Sequence, residues 1–142
     1  TSSSAACIPI NILAAKQMGV ADNIVETVIP FGTNMHKDGS VAGCAIKIVF
    51  LLCVFGGQTD IWGNVLSIIG LALVCSIVVG AIPSGGMTSE LLTCSILGFS
   101  PELAGTLLVI STLIDIPATL LNSSGNVVAA VWVDNGMKRM PV

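Results

Sequence analysis

The stretch VLSIIGLALVCSIVVGAIPSGGMTSELLTCSILGF, residues 65–99, decides how the chain is read. An apolar run descends to residue 82, PSGG turns it, and a second arm of about 13 residues climbs back. A helix that crosses a bilayer needs about 20 residues, so the second arm is too short to span. A proline, a serine and two glycines leave irregular backbone at the turn. Such backbone is tolerated at membrane depth only where it is buried in protein or lines a cavity. The reading is a re-entrant helical hairpin over residues 61–99.

Composition agrees with a bilayer as solvent. Of the 142 residues, 54% are hydrophobic and 9% charged, and the mean hydropathy is +0.96. A soluble domain carries about 25% charged residues, and so few charges cannot coat a water-soluble globule. The net charge of -3 is small and scattered, with no basic run to bind nucleic acid. Five cysteines, an odd number without a CxxC pair, speak against a zinc site or a disulfide framework. They read as small buried residues. No initiator Met or signal-peptide pattern opens the chain, which reads as the tail of a longer protein.

The remaining segments fit the same plan. IPINILAAKQMG, residues 8–19, is a short helix ended by glycine. IVETVIPFG (24–32) is about two helical turns stopped by Pro30 and Gly32. TNMHKDGS (33–40) is polar and irregular, and VAGCAIKIVFLLCVF (41–55) resumes an apolar helix. Each flanking piece is too short to span, and together they make one broken transmembrane helix. The last helix starts at SPE, with Ser100 as N-cap and Pro101 in the first position, and runs to about Trp132 before ending near DNGMKR. Lys16, Lys138 and Arg139 flank one side, while the loops at 56–64 and 98–102 carry no Lys or Arg. The positive-inside rule then makes the C-terminus and the 19–23 link cytoplasmic. Trp62 is placed as an interfacial anchor. Broken helices with small polar tips, meeting at the midplane, are how secondary transporters build substrate and ion sites.

Within the last helix, Asp115, Thr119, Asn122 and Asn126 step by four, three and four and share one stripe. An intramembrane carboxylate is costly, and a buried Asp calls for a cation. The stripe therefore suits an amine or an inorganic cation better than it suits helix-to-helix glue. His36, Lys37 and Asp38 lie in the helix break, where Asp38 beside exposed carbonyls suits a hard monovalent cation. Glu90, four residues past the glycine turn, either faces a polar cavity and titrates or snorkels. PSGGMTS lacks the GK[ST] of a phosphate-binding loop. No serine has a partner histidine at a hydrolase-like elbow, and this chain is no enzyme on that reading.

With SSSAACIPINILAAKQMGV, NMHKDGS, CSIVVGAIPSGG and DIPATLLNSSGN in this order, the chain resembles the dicarboxylate/amino acid:cation symporters, the glutamate transporter family. The resemblance implies an all-α membrane protein, the transport core of a sodium:dicarboxylate symporter-like fold. Residues 1–19 would be the second arm of hairpin one, 23–57 the broken transmembrane helix, 61–99 the re-entrant hairpin two, and 101–137 the last transmembrane helix. The family's N-terminal scaffold domain, which makes its trimer, is absent from these 142 residues.

What the resemblance implies for the site is specific. Ser3 would present backbone and hydroxyl to a substrate carboxylate, with Gly86 and the carbonyl of Ile82 closing over it. Asp115 would hold a substrate ammonium, Thr119 and Asn122 would complete the pocket, and Ser40 stands where the family has a threonine. Carbonyls of Ser76, Ile77 and Val79, with Asn34, would form one sodium site. Gly32, His36, Asp38, Asn122 and Asn126 are further cation candidates, and no metal site beyond sodium is implied. The departures matter: HKDGS replaces the family's NMDGT, Ala118 stands where acidic-substrate members carry arginine, and Asn126 replaces a sodium-ligating aspartate. Lys37 would either reach the pocket as a point charge or sit against Asp38 in place of a sodium ion. The implied function is a cell-membrane, multi-pass secondary transporter with no cofactor, coupled to Na+ or H+. Its homotrimer would move an amino acid or dicarboxylate, a neutral amino acid being favoured, by elevator-type alternating access. The alternative is a degenerate, non-transporting binder of the same fold.

Overall fold

The computed structural model describes residues 2–57, 60–79 and 85–139. Six helices follow one another: α1 (Ile8–Gln17), α2 (Asp22–Met35), α3 (Asp38–Phe55), α4 (Val65–Val79), α5 (Gly85–Leu97) and α6 (Leu103–Arg139). There is no strand among the described residues. The long helix α6 is the hub, packing against α1, α2, α3 and α5, while α4 lies against α3 and α5.

Local chemistry explains most boundaries. Gly19 and Gly98 take φ values of +82° and +73°, the left-handed conformation that a side chain disfavours. Each closes its helix with a pair of reversed bonds: Val20 N to Ala15 O and Gly19 N to Lys16 O after α1, Phe99 N to Cys94 O and Gly98 N to Ser95 O after α5.

Two boundaries differ from the sequence reading. Helix α2 does not stop at Pro30 but runs through it to Met35, so only His36 and Lys37 separate α2 from α3. Pro30 cannot donate to the carbonyl of Glu26, one turn earlier. A membrane helix tolerates a proline where neighbouring helices hold it in place, and Asn126 of α6 bonds Ile29 O and Thr33 Oγ1 on either side of Pro30. Helix α6 begins at Leu103, and Ser100 does not cap it; the Ser100 hydroxyl donates to Glu102 Oε2 at 2.8 Å instead.

Three apolar clusters hold the helices together. Ala15, Val25, Ile29 and Ala130 join α1, α2 and α6. Cys44, Ile48, Ala72 and Cys75 join α3 to α4, and Leu51, Cys94, Ala104 and Leu107 join α3, α5 and α6. All five cysteines are free, three of them buried in these clusters. The outer surface is equally apolar: Leu66, Leu113 and Trp132 are 86%, 75% and 75% exposed. Lipid is the medium in which that surface is stable. The stretches Asp22–Phe55 and Leu103–Arg139, 34 and 37 residues, are long and apolar enough to cross a membrane. Helices α4 and α5, 15 and 13 residues, are not.

In lipid, helices gain no hydrophobic drive from meeting, so close van der Waals approach at small residues has to supply it. Gly39 is the tightest such point between α3 and α6, where an added Cβ would collide with the backbone of Ala118. Gly39→Ala should therefore force the two helices apart and cost about 1–3 kcal/mol. Thermal unfolding in detergent measures this, and an unshifted midpoint would show that the seam is loose.

Candidate functional site

The polar residues converge where the α2–α3 break meets the middle of α6. A helix leaves its first four N–H groups without intrahelical partners. Lys37, at the N-cap of α3, makes no side-chain cap. Asn122 of α6 does the capping from outside. Its Oδ1 accepts from Gly39 N at 2.9 Å and from Ser40 N at 3.4 Å, and its Nδ2 donates to Ser40 Oγ at 2.8 Å. Asn122 and Ser40, both inferred as pocket residues, are thus brought together, with Asn122 only 4% exposed.

One turn further along α6, Asn126 grips the last turns of α2. Its Nδ2 donates to Ile29 O at 2.8 Å and to Thr33 Oγ1 at 3.1 Å, while Thr33 Oγ1 donates to Ile29 O at 2.8 Å. Asn126 Oδ1 is buried without a hydrogen-bond partner and lies against Gly32. The His36 ring packs over Gly125. His36 Nδ1 lies 3.3 Å from Asp38 Oδ1, without hydrogen-bond geometry, a charge contact only when the imidazole is protonated. Lys37 enters none of the ion pairs among the described residues, so Asp38 has the imidazole of His36, not Lys37, as its nearest basic neighbour.

The strongest electrostatic feature lies deeper, and the sequence reading missed most of it. Lys47 of α3 reaches Glu90 of α5 at 2.6 Å, with side-chain exposures of 8% and 0%. Ser111 of α6 closes the triangle: its hydroxyl donates to Glu90 Oε1 at 2.5 Å and accepts from Lys47 Nζ at 3.1 Å. Glu90 Oε2 is buried with no partner. Asp115, half-buried one turn from Ser111, lies within electrostatic reach of both Lys47 and Glu90. Glu90 neither snorkels nor faces lipid; it is the enclosed half of an ion pair. The available signal was Lys47 itself, a cation inside a long apolar run.

Other inferred residues lie around this centre. Thr119 is half-buried on the α6 stripe, and Ala118 is buried against α3. Asn34 is exposed on α2, its Nδ2 reaching only Pro30 O at 3.5 Å. Ser76, Ile77 and Val79 occupy the last turn of α4, where helix carbonyls lack intrahelical partners. Ser76 is buried with its Oγ unpaired, and Ile77 is exposed. Ser3 precedes α1, its Oγ accepting from Ala6 N at 3.3 Å. Gly86 is in the first turn of α5, and Ile82 lies outside the described residues. Among the described residues, no group of three His, Cys, Asp or Glu could hold a metal ion.

Two substitutions test these contacts. Asn122→Ala orphans two first-turn amides of α3 and should lower stability by about 1–3 kcal/mol. Lys47→Met strands the Glu90 charge and should cost about 3–5 kcal/mol, most of which the paired change Lys47→Met/Glu90→Gln restores. Unfolding midpoints in detergent read both, and equal losses in the single and paired variants would contradict an ion pair.

Comparison with known proteins sets this arrangement in context. No solved structure matches the chain. The serine/threonine transporter SstT of Acinetobacter baylyi is 29% identical over 142 residues, covering 97% of this chain and 35% of the relative. The proton/sodium-glutamate symport protein of Bacillus subtilis is 30% identical over 131 residues, 92% of this chain and 30% of its own length. The L-cystine uptake protein TcyP of Shouchella clausii is 28% identical, with 91% and 28% covered. The chain thus spans about a third of the length of these relatives. The family model described as "Sodium:dicarboxylate symporter family" matches residues 1–136, which is nearly the whole chain, and the chain belongs to that family.

Proposed function

We propose that this chain forms the core of a cation-coupled symporter for an amino acid, and that a neutral amino acid is its preferred substrate. The observation that carries the reading is the polar stripe of α6 docked on a broken helix. Asn122 fixes the start of α3, and two stripe positions away stands Asp115, which enters no ion pair among the described residues. A half-buried carboxylate without a cation suits a substrate ammonium. The named substrates of the relatives, serine or threonine, glutamate and cystine, share that ammonium and an α-carboxylate.

Selectivity follows from Ala118. A second carboxylate calls for a planar, two-pronged guanidinium, and alanine buried against the α3 backbone offers none. Ser3, Gly86 and Ile82 would hold the α-carboxylate, with Ser40 and Thr119 near the substrate side chain. Sodium or a proton is the coupling ion. The carbonyl turn of Ser76, Ile77 and Val79 with Asn34 serves as one cation site, and Gly32, His36, Asp38, Asn122 and Asn126 border a second.

The complete protein would work as a membrane-embedded homotrimer in which this core moves like an elevator against a scaffold. A cytoplasmic C-terminus is supported by clustered charge. Lys16 pairs with Glu26 at 2.9 Å and Asp22 at 3.2 Å, and Asp134 binds both Lys138 and the amide of Ala21 at that same end. The Glu26 hydrogen bond, then that of Asp22, holds the Lys16 ammonium above the ordinary lysine range.

Proteoliposomes of the complete protein, given an inward sodium or proton gradient, should accumulate serine or alanine in preference to aspartate. Asp115→Asn should lose a charge-assisted bond of about 1.5–3 kcal/mol, a drop in affinity of about tenfold or more. Aspartate outcompeting serine would overturn the neutral-substrate reading, and unchanged affinity in Asp115→Asn would remove Asp115 from the pocket.

A further inference from the structure

We propose that Lys47 is a resident counter-cation, held by Glu90 while a substrate ammonium occupies Asp115 and shared between Glu90 and Asp115 when the pocket is empty. The inference rests on the reading of Asp115 as the ammonium site. It starts from a count of charges: one buried ammonium, Lys47, stands among two carboxylates, Glu90 and Asp115, on three different helices. Lys47 Nζ is 2.6 Å from Glu90 Oε1 and 3.1 Å from Ser111 Oγ. Ser111 and Asp115 are four apart on α6, so their side chains are neighbours on one face, about 5–6 Å between Cβ atoms. A lysine ammonium on a flexible four-carbon stem can pivot over that distance, with the Ser111 hydroxyl as the intermediate partner.

Two further observations point the same way. Glu90 Oε2 is fully buried and unpartnered, so this carboxylate is not saturated by Lys47 and Ser111 in the state described. Asp115 belongs to no ion pair among the described residues, although the Lys47 and Glu90 charges both act on it. An empty carrier must carry Asp115 through a medium of low polarity, where an uncompensated carboxylate is costly. Lys47 is the cation already in place to cover it. His36 and Lys37 do not replace it: His36 faces Asp38 across the α2–α3 break, and Lys37 is in no described ion pair.

The role separates two modes of transport. Exchange returns the carrier loaded, so it does not need Lys47, whereas net uptake returns it empty and does. The variant to compare is Lys47→Met/Glu90→Gln, which removes both charges together and leaves neither stranded. In proteoliposomes of the complete protein, its exchange of labelled serine against internal serine should stay near the unmodified rate. Its net uptake into serine-free vesicles should fall by about tenfold or more, equivalent to about 1.4 kcal/mol on the return step. A net-to-exchange ratio equal to that of the unmodified protein would overturn the inference, because a purely structural pair lowers both together. A second measurement needs no variant: initial net uptake by the unmodified protein should proceed with only an impermeant organic cation inside the vesicles. A requirement for an internal inorganic cation would also overturn it. Serine binding to Asp115→Asn distinguishes the two levels. Unchanged affinity there refutes the ammonium site itself. Weakened affinity with an unaltered net-to-exchange ratio in the paired variant refutes only the resident cation.

Discussion

The amide hydrogens at the start of α3 set the terms for the rest of the structure. A helix broken inside a bilayer exposes donors that lipid cannot satisfy, and each orphan is expensive. Asn122 answers two of them and binds the Ser40 hydroxyl as well. The geometry of the break is thereby written on α6 rather than on α2 or α3. Asn126 does the same for the far side of the break, through Ile29 O and Thr33. Both asparagines were inferred as ligand residues. In the arrangement described they are first of all the clamps that let a broken helix persist, and ligand contact can use only their remaining capacity. For Asn126 that capacity is its buried, unpaired Oδ1.

The second fixed point is the knot of Lys47, Glu90 and Ser111. The Lys47–Glu90 ion pair ties α5 to α3, and the Ser111 hydroxyl ties the same carboxylate to α6. Dispersion at small residues sets how close the helices come, as at Gly39. Polar contacts such as this one fix which faces meet, because sliding α5 by one residue would strand two charges. The hydrophobic clusters alone have no comparable specificity, since an apolar face in lipid can rotate at little cost.

The helical order was legible because it rests on local signals, the apolar runs and the glycine at 19; the PSGG turn lies partly outside the described residues. The ends of the break were not. Pro30 reads as a stop in isolation, whereas the helix continues through it and is held by Asn126 of α6 at Ile29 O and Thr33 Oγ1. Ser100 had the right chemistry for a cap, but Glu102 two residues on captured its hydroxyl. On the site, the α6 stripe was visible as periodicity, and the resemblance implied that Asn122 and Ser40 border one pocket, but not that they bond each other. The ion pair was not visible. Its members are 43 residues apart, and nothing local announces that a lysine on one helix and a glutamate on another share a depth. Glu90 stood out as an intramembrane acid, and Lys47 in its apolar run was the clue to its partner.

These placements also shift where positive charge is needed. The family position now held by Asn126 is neutral, and its amide is occupied in holding α2. Asp38 has His36 beside it, and Glu90 has Lys47. Asp115 alone, among the acids at this depth, is left with no partner of its own in the described residues. A site with fewer uncompensated carboxylates binds fewer cations at once, because each additional cation must enter a less negative field. The carbonyls that end α4, at Ser76, Ile77 and Val79, owe nothing to side-chain charge, so this pairing of the acids leaves them unaltered.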